Sequence, residues 1–389
     1  MFTQDEIQYI TDLRQDIHAN PELKYEENRT SEIVRKELES LGYQVISGVA
    51  KTGVVGVLET NKPGPCIAFR ADMDALPILE NTGLSYASNH QGKMHACGHD
   101  GHTATLLLAA RWLARNKEQL IGTIKLLFQP AEEGGNGADK MVQEGVLETP
   151  KVDAIFGYHN RPGFPSNLVF VKPNSAMGGN DTFDVTIKGK AGHSAMPHLA
   201  IDPIYIAANI VQQTQGLVGR SKSPLKHGVI TVSKFHAGTA DNIIPAEAEL
   251  TINIRSDSPE SREQLAGHIE NLIKGNCLAF GADYSIDHKH NVPPLCNPPA
   301  YADFVLEVAK EILPNHDIEK LDYMPTMGAE DFAFYLEHVP GCFFFVGNGV
   351  DCAYLHNEKY NFNDDILSTA ASVFVGIALN ASRLTNILK

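Results

Sequence analysis

The sequence has no long apolar run and no excess of basic residues. Its best apolar stretch, Ala370 to Leu379, is about half as long as the ~20 residues that a membrane-spanning helix needs. The chain carries 32 Lys and Arg against 47 Asp and Glu, which gives a formal net charge of -15. Nucleic acids and anionic membranes bind basic surfaces, so we expect neither as a partner.

Cysteines are few, and the start of the chain lacks a leader signal. The six cysteines show no disulfide-framework spacing, which is typical of proteins from a reducing compartment. Residues 1–15 are rich in Asp, Glu and Gln, and they lack the basic start and apolar segment of a secretory signal. These features predict a cytoplasmic protein.

Three familiar catalytic motifs are missing as well. The sequence contains no Gly-x-Ser-x-Gly elbow, no His-Glu-x-x-His helix and no phosphate-binding Gly-x-x-x-x-Gly-Lys loop. The composition, with 43% hydrophobic and 20% charged residues, is nevertheless that of an ordinary globular enzyme. The 389 residues exceed one ordinary hydrophobic core, so we expect two domains.

The order of the predicted elements indicates an α/β fold with an insertion. Short apolar strands, beginning with Val54–Leu58, first alternate with helices, which is typical of a mixed or mainly parallel sheet covered on both faces. Between 181 and 291 the order becomes β-α-β-β-α-β, that of a ferredoxin-like domain. The first pattern then resumes and ends in one long predicted helix, Leu367–Leu384. We therefore predict a catalytic α/β domain with a central mixed sheet (1–180 and 292–389), interrupted by an inserted α+β domain (181–291).

Four clusters of potential metal ligands follow predicted strands or lie in loops. The first contains Asp72 and Asp74, directly after an apolar strand. Two carboxylates at this spacing can anchor a metal ion or orient its ligands, although a solvated turn is the commoner explanation. In an open α/β sheet, catalytic residues are expected at the carboxyl ends of the strands.

The second cluster is the segment that contains His95, Cys97, His99 and His102. Imidazole and thiolate are soft or borderline ligands for transition metals. A polar loop that caps the next helix is one alternative, and a Cys97 nucleophile activated by a histidine is another. The spacing of Cys97 and His99 disfavours the nucleophile, because strand neighbours two apart point the same way and favour shared ligation of a metal ion. His102 is expected in the first helical turn, with either a structural or a functional role.

The third cluster is the adjacent pair Glu132 and Glu133, just past a predicted strand. One carboxylate of such a pair can bind metal while the other acts as a base, although acidic pairs also favour helix starts. The fourth consists of His159 and His356, which are unremarkable separately. A binuclear site needs about five protein ligands and a bridging water, whose pKa falls from ~15.7 toward ~7. These dispersed segments differ from the tight paired spacing of a zinc finger.

Five motifs carry a resemblance that covers nearly the whole chain. At these motifs the sequence resembles the binuclear metal-dependent aminoacylase and carboxypeptidase superfamily. It looks closest to the amidohydrolase subgroup that includes hippurate hydrolase, plant auxin-conjugate hydrolases and N-acetyldiaminopimelate deacetylase. The motifs are RADMDALP at 70–77, MHACGHDGHTA at 94–104, FQPAEEG at 128–134, GHSAMPH at 192–198 and MGAEDFA at 327–333.

The resemblance implies a set of roles for the four clusters. Glu132 would be the general base, and Asp72 and Asp74 would orient the site. Many superfamily members carry His in place of Asp72, and Asp or Glu in place of Cys97 and His159, so the metal identity stays open among Zn, Mn, Ni and Co. Two divalent ions would be bound by five ligands, namely Cys97, His99, Glu133, His159 and His356.

The resemblance also implies that the insertion is a lid and dimerisation domain and that the protein forms a homodimer or higher homo-oligomer. His193 would stabilise the oxyanion, and Asn242 and Arg255 would contact the substrate carboxylate. From the residues alone, a polar turn residue is the favoured interpretation of His193, and a surface strand end is an equally good interpretation of Arg255. The implied activity is hydrolysis of the amide bond of a small-molecule N-acyl-amino acid. A metallo-dipeptidase or carboxypeptidase on the same scaffold, and a non-catalytic metal-binding homologue, are the alternatives.

Overall fold

A computed structural model describes residues 1–323 and 326–387 of the chain. The strands are, in chain order, β1 (Gln44–Val49), β2 (Gly53–Glu59), β3 (Cys66–Asp72), β4 (Thr123–Gln129), β5 (Ala154–Pro162), β6 (Val169–Val171), β7 (Asn174–Met177), β8 (Gly179–Lys188), β9 (Gly192–His193), β10 (Gly228–Ala237), β11 (Ile243–Ile244), β12 (Glu247–Ser256), β13 (Asp283–Val292), β14 (Leu295–Asn297), β15 (Ile318–Lys320) and β16 (Gly341–Gly349). The helices are α1 (Gln4–Ala19), α2 (Asn28–Ser40), α3 (His99–Arg115), α4 (Glu132–Gly135), α5 (Gly137–Gln143), α6 (Pro203–Gly216), α7 (Pro259–Phe280), α8 (Pro299–Ile312), α9 (Ala333–Leu336), α10 (Leu367–Leu379) and α11 (Ala381–Ile387).

The chain divides into two compact units. The first unit consists of three segments, Met1–Asn174, Asn297–Tyr323 and Asp331–Lys389. The second unit consists of Ser175–Cys296 and the short segment Met324–Glu330. It begins earlier and ends later than the 181–291 insertion expected from the sequence. The reason is that β7 pairs with β14, so the chain entering the insertion and the chain leaving it run together beyond the ferredoxin-like elements.

The first unit is built on one mixed sheet, which confirms the predicted α/β class. Its strand order is β1-β2-β4-β3-β5-β16-β6-β15. β3 is parallel to both β4 and β5, and β16 is parallel to β5. β1 with β2, and β2 with β4, are antiparallel pairs. Since β3, β4 and β5 are parallel neighbours, their carboxyl ends and the segments that follow them meet at the same edge of the sheet.

The first unit differs from the sequence prediction at β1 and at its C-terminal helices. β1 was not predicted, because its residues are exposed or half-buried and it lacks the apolar run that marks a central strand. The single helix predicted over Leu367–Leu384 is two helices, α10 and α11, with a bend of 65°. Asn380 caps the end of α10, and its side-chain Nδ2 donates a hydrogen bond to the Gly376 carbonyl oxygen at 3.0 Å.

Within the described residues, no single helix is long and apolar enough to cross a membrane. One bent pair, Asp364–Leu379 with Ala381–Ile387, meets the requirement by length and composition. Every residue of α10 except Ser368 and Leu379 is buried in the core of the first unit.

The second unit carries a four-stranded antiparallel sheet in the order β10-β12-β8-β13, which confirms the ferredoxin-like prediction. α6 and α7 pack their apolar residues against the alternating apolar side chains of β8 and β12. Their boundaries follow from local chemistry. Asp202 and Ser258 cap the two helix starts, each directly before a proline, and Gly281 at φ 69° ends α7.

Candidate metal centre and active site

Asp72 ends β3 and is fully buried among cationic groups. Its Oδ1 lies 2.6 Å from Nδ1 of His102, and its Oδ2 accepts a hydrogen bond from Arg70 at 2.7 Å. The same Oδ2 lies 3.7 Å from Nε2 of His99. Burial alone would raise the pKa of Asp72, but His99, Arg70 and His102 outweigh it and hold the pKa well below its usual range. Asp72 is therefore an ionised carboxylate between two histidines.

The sequence interpretation treated Cys97 and His99 as neighbours in a strand, but the structure places a turn between them. Gly98 between them has φ 93° and begins α3 as its N-cap. A Cβ at this position would lie 2.5 Å from both Oδ1 of Asn160 and the Tyr360 hydroxyl, so only glycine fits this turn. The turn still brings Sγ of Cys97 and a ring nitrogen each of His99 and His159 within 4.8 Å of one another. Shared ligation is thus possible through the turn rather than through strand alternation.

Asp74 joins the second and third clusters. Its Oδ1 accepts a hydrogen bond from the backbone N–H of Glu132 at 3.0 Å, and its Oδ2 accepts one from that of Glu133 at 2.9 Å. Oδ1 also lies 3.3 Å from Nδ1 of His99. A single carboxylate therefore fixes the positions of a histidine on α3 and of the adjacent glutamates past β4.

The adjacent glutamates lie in a tight turn, not in a regular helix start. Ala131 has φ 56°, and Glu133 and Gly134 have non-helical backbone angles within α4. The helix dipole, which favours acidic residues at helix starts, therefore does not account for this pair. The turn is held from below by Glu27, which is buried and accepts hydrogen bonds from the Ala131 N–H at 2.9 Å and the Thr52 hydroxyl at 2.6 Å.

Glu133 and Glu132 have different surroundings. Oε1 of Glu133 lies 3.1 Å from Nε2 of His356, and Cys97 joins these two in a group with ligand atoms within 4.8 Å. Hydrogen bonds to Cys97 and Glu133 raise the pKa of His356 to about 10. Glu132 forms a separate group of the same kind with His99 and Glu133. The geometry therefore allows one glutamate to bind metal while the other lies beside it.

These groups fit a pair of divalent cations. His99 belongs to three of these ligand groups: one with Cys97 and His159, one with Asp72 and His102, and one with Glu132 and Glu133. Among the described residues, its buried Nε2 has no hydrogen-bond partner, a costly arrangement for a polar atom unless it binds a ligand. Thiolate, imidazole and carboxylate together suit borderline divalent ions such as zinc.

His159 and His102 are oriented by Asn160. The Asn160 carbonyl oxygen lies 2.6 Å from Nδ1 of His159, which leaves Nε2 facing Sγ of Cys97 at 3.4 Å. Burial, reinforced by His102, lowers the pKa of His159 well below its usual value, so it is a neutral imidazole. Both ring nitrogens of His102 face partners, Asp72 and Oδ1 of Asn160, the latter at 2.8 Å. His102 therefore contacts Asp72 and Asn160, and the choice between a structural and a functional role for it stays a prediction.

Sequence reasoning did not single out Asn160 or Arg70 as functional residues. Arg70 is buried and donates hydrogen bonds to Gln129, Asp72 and Asp331 at 2.7, 2.7 and 2.9 Å. It therefore links the ends of β3 and β4 to the segment before α9. Arg70 and Asp331 lie within motifs that carried the family resemblance, which was an available signal. Asn160 had no such signal beyond its position next to His159.

The three remaining predicted residues belong to the second unit. His193 is exposed, and its Nδ1 accepts a hydrogen bond from the Ala195 N–H at 3.1 Å. Asn242 is its neighbour, because β9 pairs with β11 and the Ser194 N–H donates to the Asn242 carbonyl oxygen at 3.0 Å. Arg255 is half-buried on β12, and burial lowers its pKa. Their roles toward a substrate stay predictions.

Asp74→Asn is expected to weaken metal binding by about 10- to 100-fold, because partners that orient ligands contribute on this scale. The asparagine amide can accept one of the two N–H groups of the Glu132–Glu133 turn, but its NH2 faces the other. The affinity is measured by competition with a chromogenic chelator. The exposed Asp12→Asn is the matched control, and an unchanged affinity in Asp74→Asn would contradict the positioning role.

Comparison with known proteins identifies the family of this chain. Residues 68–380 match the family described as Peptidase family M20/M25/M40. The chain is 39% identical over 367 residues to a hippurate hydrolase from Campylobacter jejuni, covering 94% of this chain and 95% of the relative. It is 37% identical over 382 residues to thermostable carboxypeptidase 2 from Saccharolobus solfataricus, covering 96% and 95%.

A solved structure extends the likeness to the fold and the metal centre. It is a Bacillus subtilis protein described as a dinuclear metal binding peptidase from the M20 family, with a TM-score of 0.85 and 32% identity, covering 97% of this chain and 98% of that one. The family resemblance drawn from the motifs is thereby confirmed, as is the expectation of a metal cofactor. The chain belongs to Peptidase family M20/M25/M40 and is a metal-dependent hydrolase that acts on linear amides.

Proposed function

We propose that the protein hydrolyses the amide bond of small N-acyl-amino acids and releases a carboxylic acid and a free amino acid. The observation that carries this proposal is the Glu132–Glu133 turn, where the carboxylate of Glu133 faces His356 and Cys97, and the adjacent carboxylate of Glu132 lies within 4.8 Å of the His99 ring. The hippurate hydrolase relative supports the substrate class, because hippurate is itself an N-acyl-amino acid.

In the proposed mechanism, Cys97, His99, Glu133, His159 and His356 hold two divalent ions, of zinc, manganese, nickel or cobalt. When bound, such ions polarise the amide carbonyl and lower the pKa of a water molecule from ~15.7 toward ~7. Asp72 and Asp74 keep His99 and the glutamate turn in place through the contacts described above.

Glu132 carries the protons. Its carboxylate accepts a proton from the attacking water, and the same proton is then delivered to the nitrogen of the leaving amine. This transfer avoids expulsion of an amide anion, which is a poor leaving group. His193 stabilises the negative charge that develops on the carbonyl oxygen, and Asn242 and Arg255 bind the substrate carboxylate. These three assignments rest on the motif resemblance alone.

Two other activities were open from the sequence. A carboxypeptidase or dipeptidase is the second candidate, because the Saccharolobus solfataricus relative carries that name. A Cys97 nucleophile is disfavoured, since burial and the neighbouring Glu133 raise the pKa of its thiol and so reduce the reactive thiolate. Glu132 beside a complete ligand set argues against a non-catalytic homologue.

We also propose a cytoplasmic homodimer or higher homo-oligomer that assembles through the second unit.

A substrate panel tests the proposal. N-acetyl-methionine, hippurate, N-acetyldiaminopimelate and several dipeptides are incubated with the enzyme before chelation, after chelation and after metal add-back. We expect release of free amino acid from at least one acylated substrate, lost with chelator and restored by metal. Turnover of the dipeptides alone would favour the carboxypeptidase. No turnover of any substrate by fully metal-loaded protein would overturn the proposal.

A further inference from the structure

A second group of possible metal ligands lies in the second unit, on the edge strand of its sheet. His288 and His290 are two residues apart on β13, so their side chains lie on the same face. In the antiparallel register His290 is directly opposite Asp181 of β8. Oδ of Asp181 and one ring nitrogen of each histidine lie within 4.8 Å of one another. We refer to Asp181, His288 and His290 as the β13 cluster.

The distances in the β13 cluster fit a shared cation better than direct hydrogen bonds. Oδ2 of Asp181 lies 3.4 Å from Nε2 of His288 and 3.5 Å from Nδ1 of His290. Hydrogen bonds from N–H to oxygen usually span about 2.7–3.2 Å. Ligands at about 2.0–2.2 Å from a tetrahedral ion are separated by about 3.3–3.6 Å. The candidate metal centre has the same spacing, with Sγ of Cys97 3.4 Å from Nε2 of His159.

Groups around the β13 cluster hold its ligands in place. Nδ1 of His288 lies 3.6 Å from Oε1 of Glu270 on α7, so a carboxylate faces the nitrogen that points away from the cluster. Such carboxylate–histidine pairs are a regular feature around bound metal ions. The His288 ring also stacks on Phe183, with centroids 3.9 Å apart. Phe183 therefore packs directly on the His288 ring, and Glu270 lies near its outward-facing nitrogen.

Arg262 on α7 is a cation that faces the cluster. It donates to both oxygens of Asp181, at 2.9 Å from Nε and 2.5 Å from a terminal nitrogen. A carboxylate offers about four lone-pair positions, so these two bonds orient Asp181 without using up its acceptor capacity. Asp181 and Glu270 together carry two negative charges against the one positive charge of Arg262, so these charged side chains favour a divalent cation.

We propose that Asp181, His288 and His290 bind a borderline divalent cation of the zinc, nickel or copper class. The ligand chemistry selects this class over magnesium and calcium, which prefer all-oxygen sites. His290 has a side chain that is 65% exposed, so water can complete the coordination and the ion can enter from solvent. The ion would tie the edge strand β13 to β8 and, through Arg262, to α7. This proposal is independent of the proposed function, because none of its residues belongs to the candidate metal centre.

The test uses full-length enzyme whose metal centre has already been loaded. Zinc is titrated into this holoenzyme by calorimetry, and bound zinc is counted by elemental analysis after gel filtration. We expect wild type to bind one ion per chain beyond those of the metal centre. His290→Gln is expected to lose that ion while keeping its activity, and Glu270→Gln to bind it about 10- to 100-fold more weakly. His290 is exposed, so its replacement does not threaten folding.

His236→Gln is the matched control, because His236 is an exposed histidine on β10 of the same sheet. It is expected to retain the additional ion at wild-type affinity. The proposal is overturned if wild type binds no zinc beyond the metal centre, or if His290→Gln retains the additional ion. Activity of the zinc-loaded holoenzyme is followed in parallel, so an error in the proposed substrate class leaves the zinc count unaffected.

Discussion

Glu132→Gln is expected to lower kcat by about 10²- to 10⁴-fold while leaving the bound metal at the wild-type level, because general acid–base groups contribute on this scale. Glutamine has nearly the same shape as glutamate but cannot accept a proton from water at neutral pH. The backbone N–H of residue 132 still donates to Asp74, so the turn keeps its position. The measurement combines steady-state kinetics with elemental analysis of the same sample.

The neighbouring glutamate provides the matched comparison. Glu133→Ala removes the carboxylate that faces His356 and Cys97, so this variant is expected to lose metal as well as activity. KM is expected to change little in Glu132→Gln, because proton transfer affects the transition state more than substrate binding. Activity within about tenfold of wild type in Glu132→Gln would contradict the assignment of the base. An unchanged metal content in Glu133→Ala would remove Glu133 from the ligand set.

The sequence was informative about the site because the ends of the strands can be predicted from it. Asp72, Glu132 and His159 each follow or end an apolar run, and parallel strands bring such positions to one edge. The turn at Gly98 could not be predicted, because residue spacing alone does not distinguish a left-handed glycine in a turn from a glycine in a strand. Cys97 and His99 do lie close together, but the turn at Gly98 brings them together rather than the alternation of side chains along a strand.

Contacts between distant parts of the chain were beyond reach of spacing arguments. Arg70 joins Asp72, Gln129 and Asp331, which are far apart in sequence, and no periodicity reports such a link. β1 was missed for a different reason, because an exposed edge strand lacks the apolar pattern of a central one. The ferredoxin-like insertion could be predicted, because β8 and β12 alternate between buried, mostly apolar residues and more exposed polar ones.

A buried ion network behind α3 was likewise invisible in the sequence. Arg14 and His18 on α1 both contact Oδ2 of Asp100, at 3.1 and 2.8 Å. Arg14 also lies 2.7 Å from Asp364, and Nε2 of His18 lies 3.4 Å from Glu80. The side chains of Arg14, His18 and Asp100 are fully buried. This network anchors the first turn of α3, directly beside His99, to α1.

His18 is expected to make the stability of the first unit depend on pH. Burial opposes its charged form, but Asp100 and Glu80 outweigh burial and raise the pKa of His18 from 6.5 to about 9. Because the folded protein holds this proton more tightly than the unfolded chain does, the contribution is complete below pH 6.5 and is lost as the pH rises through about 9. A shift of this size corresponds to about 3 kcal/mol of unfolding free energy.

The measurement is the difference in unfolding free energy between wild type and His18→Gln, from urea denaturation at a series of pH values and equal metal load. Taking the difference cancels the pH dependence of metal binding and of the groups that do not interact with His18. We expect it to be largest near pH 6 and to shrink by about 3 kcal/mol by pH 9.5. The exposed His338→Gln is the matched control for replacing a histidine in the first unit. A difference for His18→Gln that stays constant or grows with pH would mean that His18 is neutral in the folded protein, and Asp100 would then depend on Arg14 alone for its compensating charge.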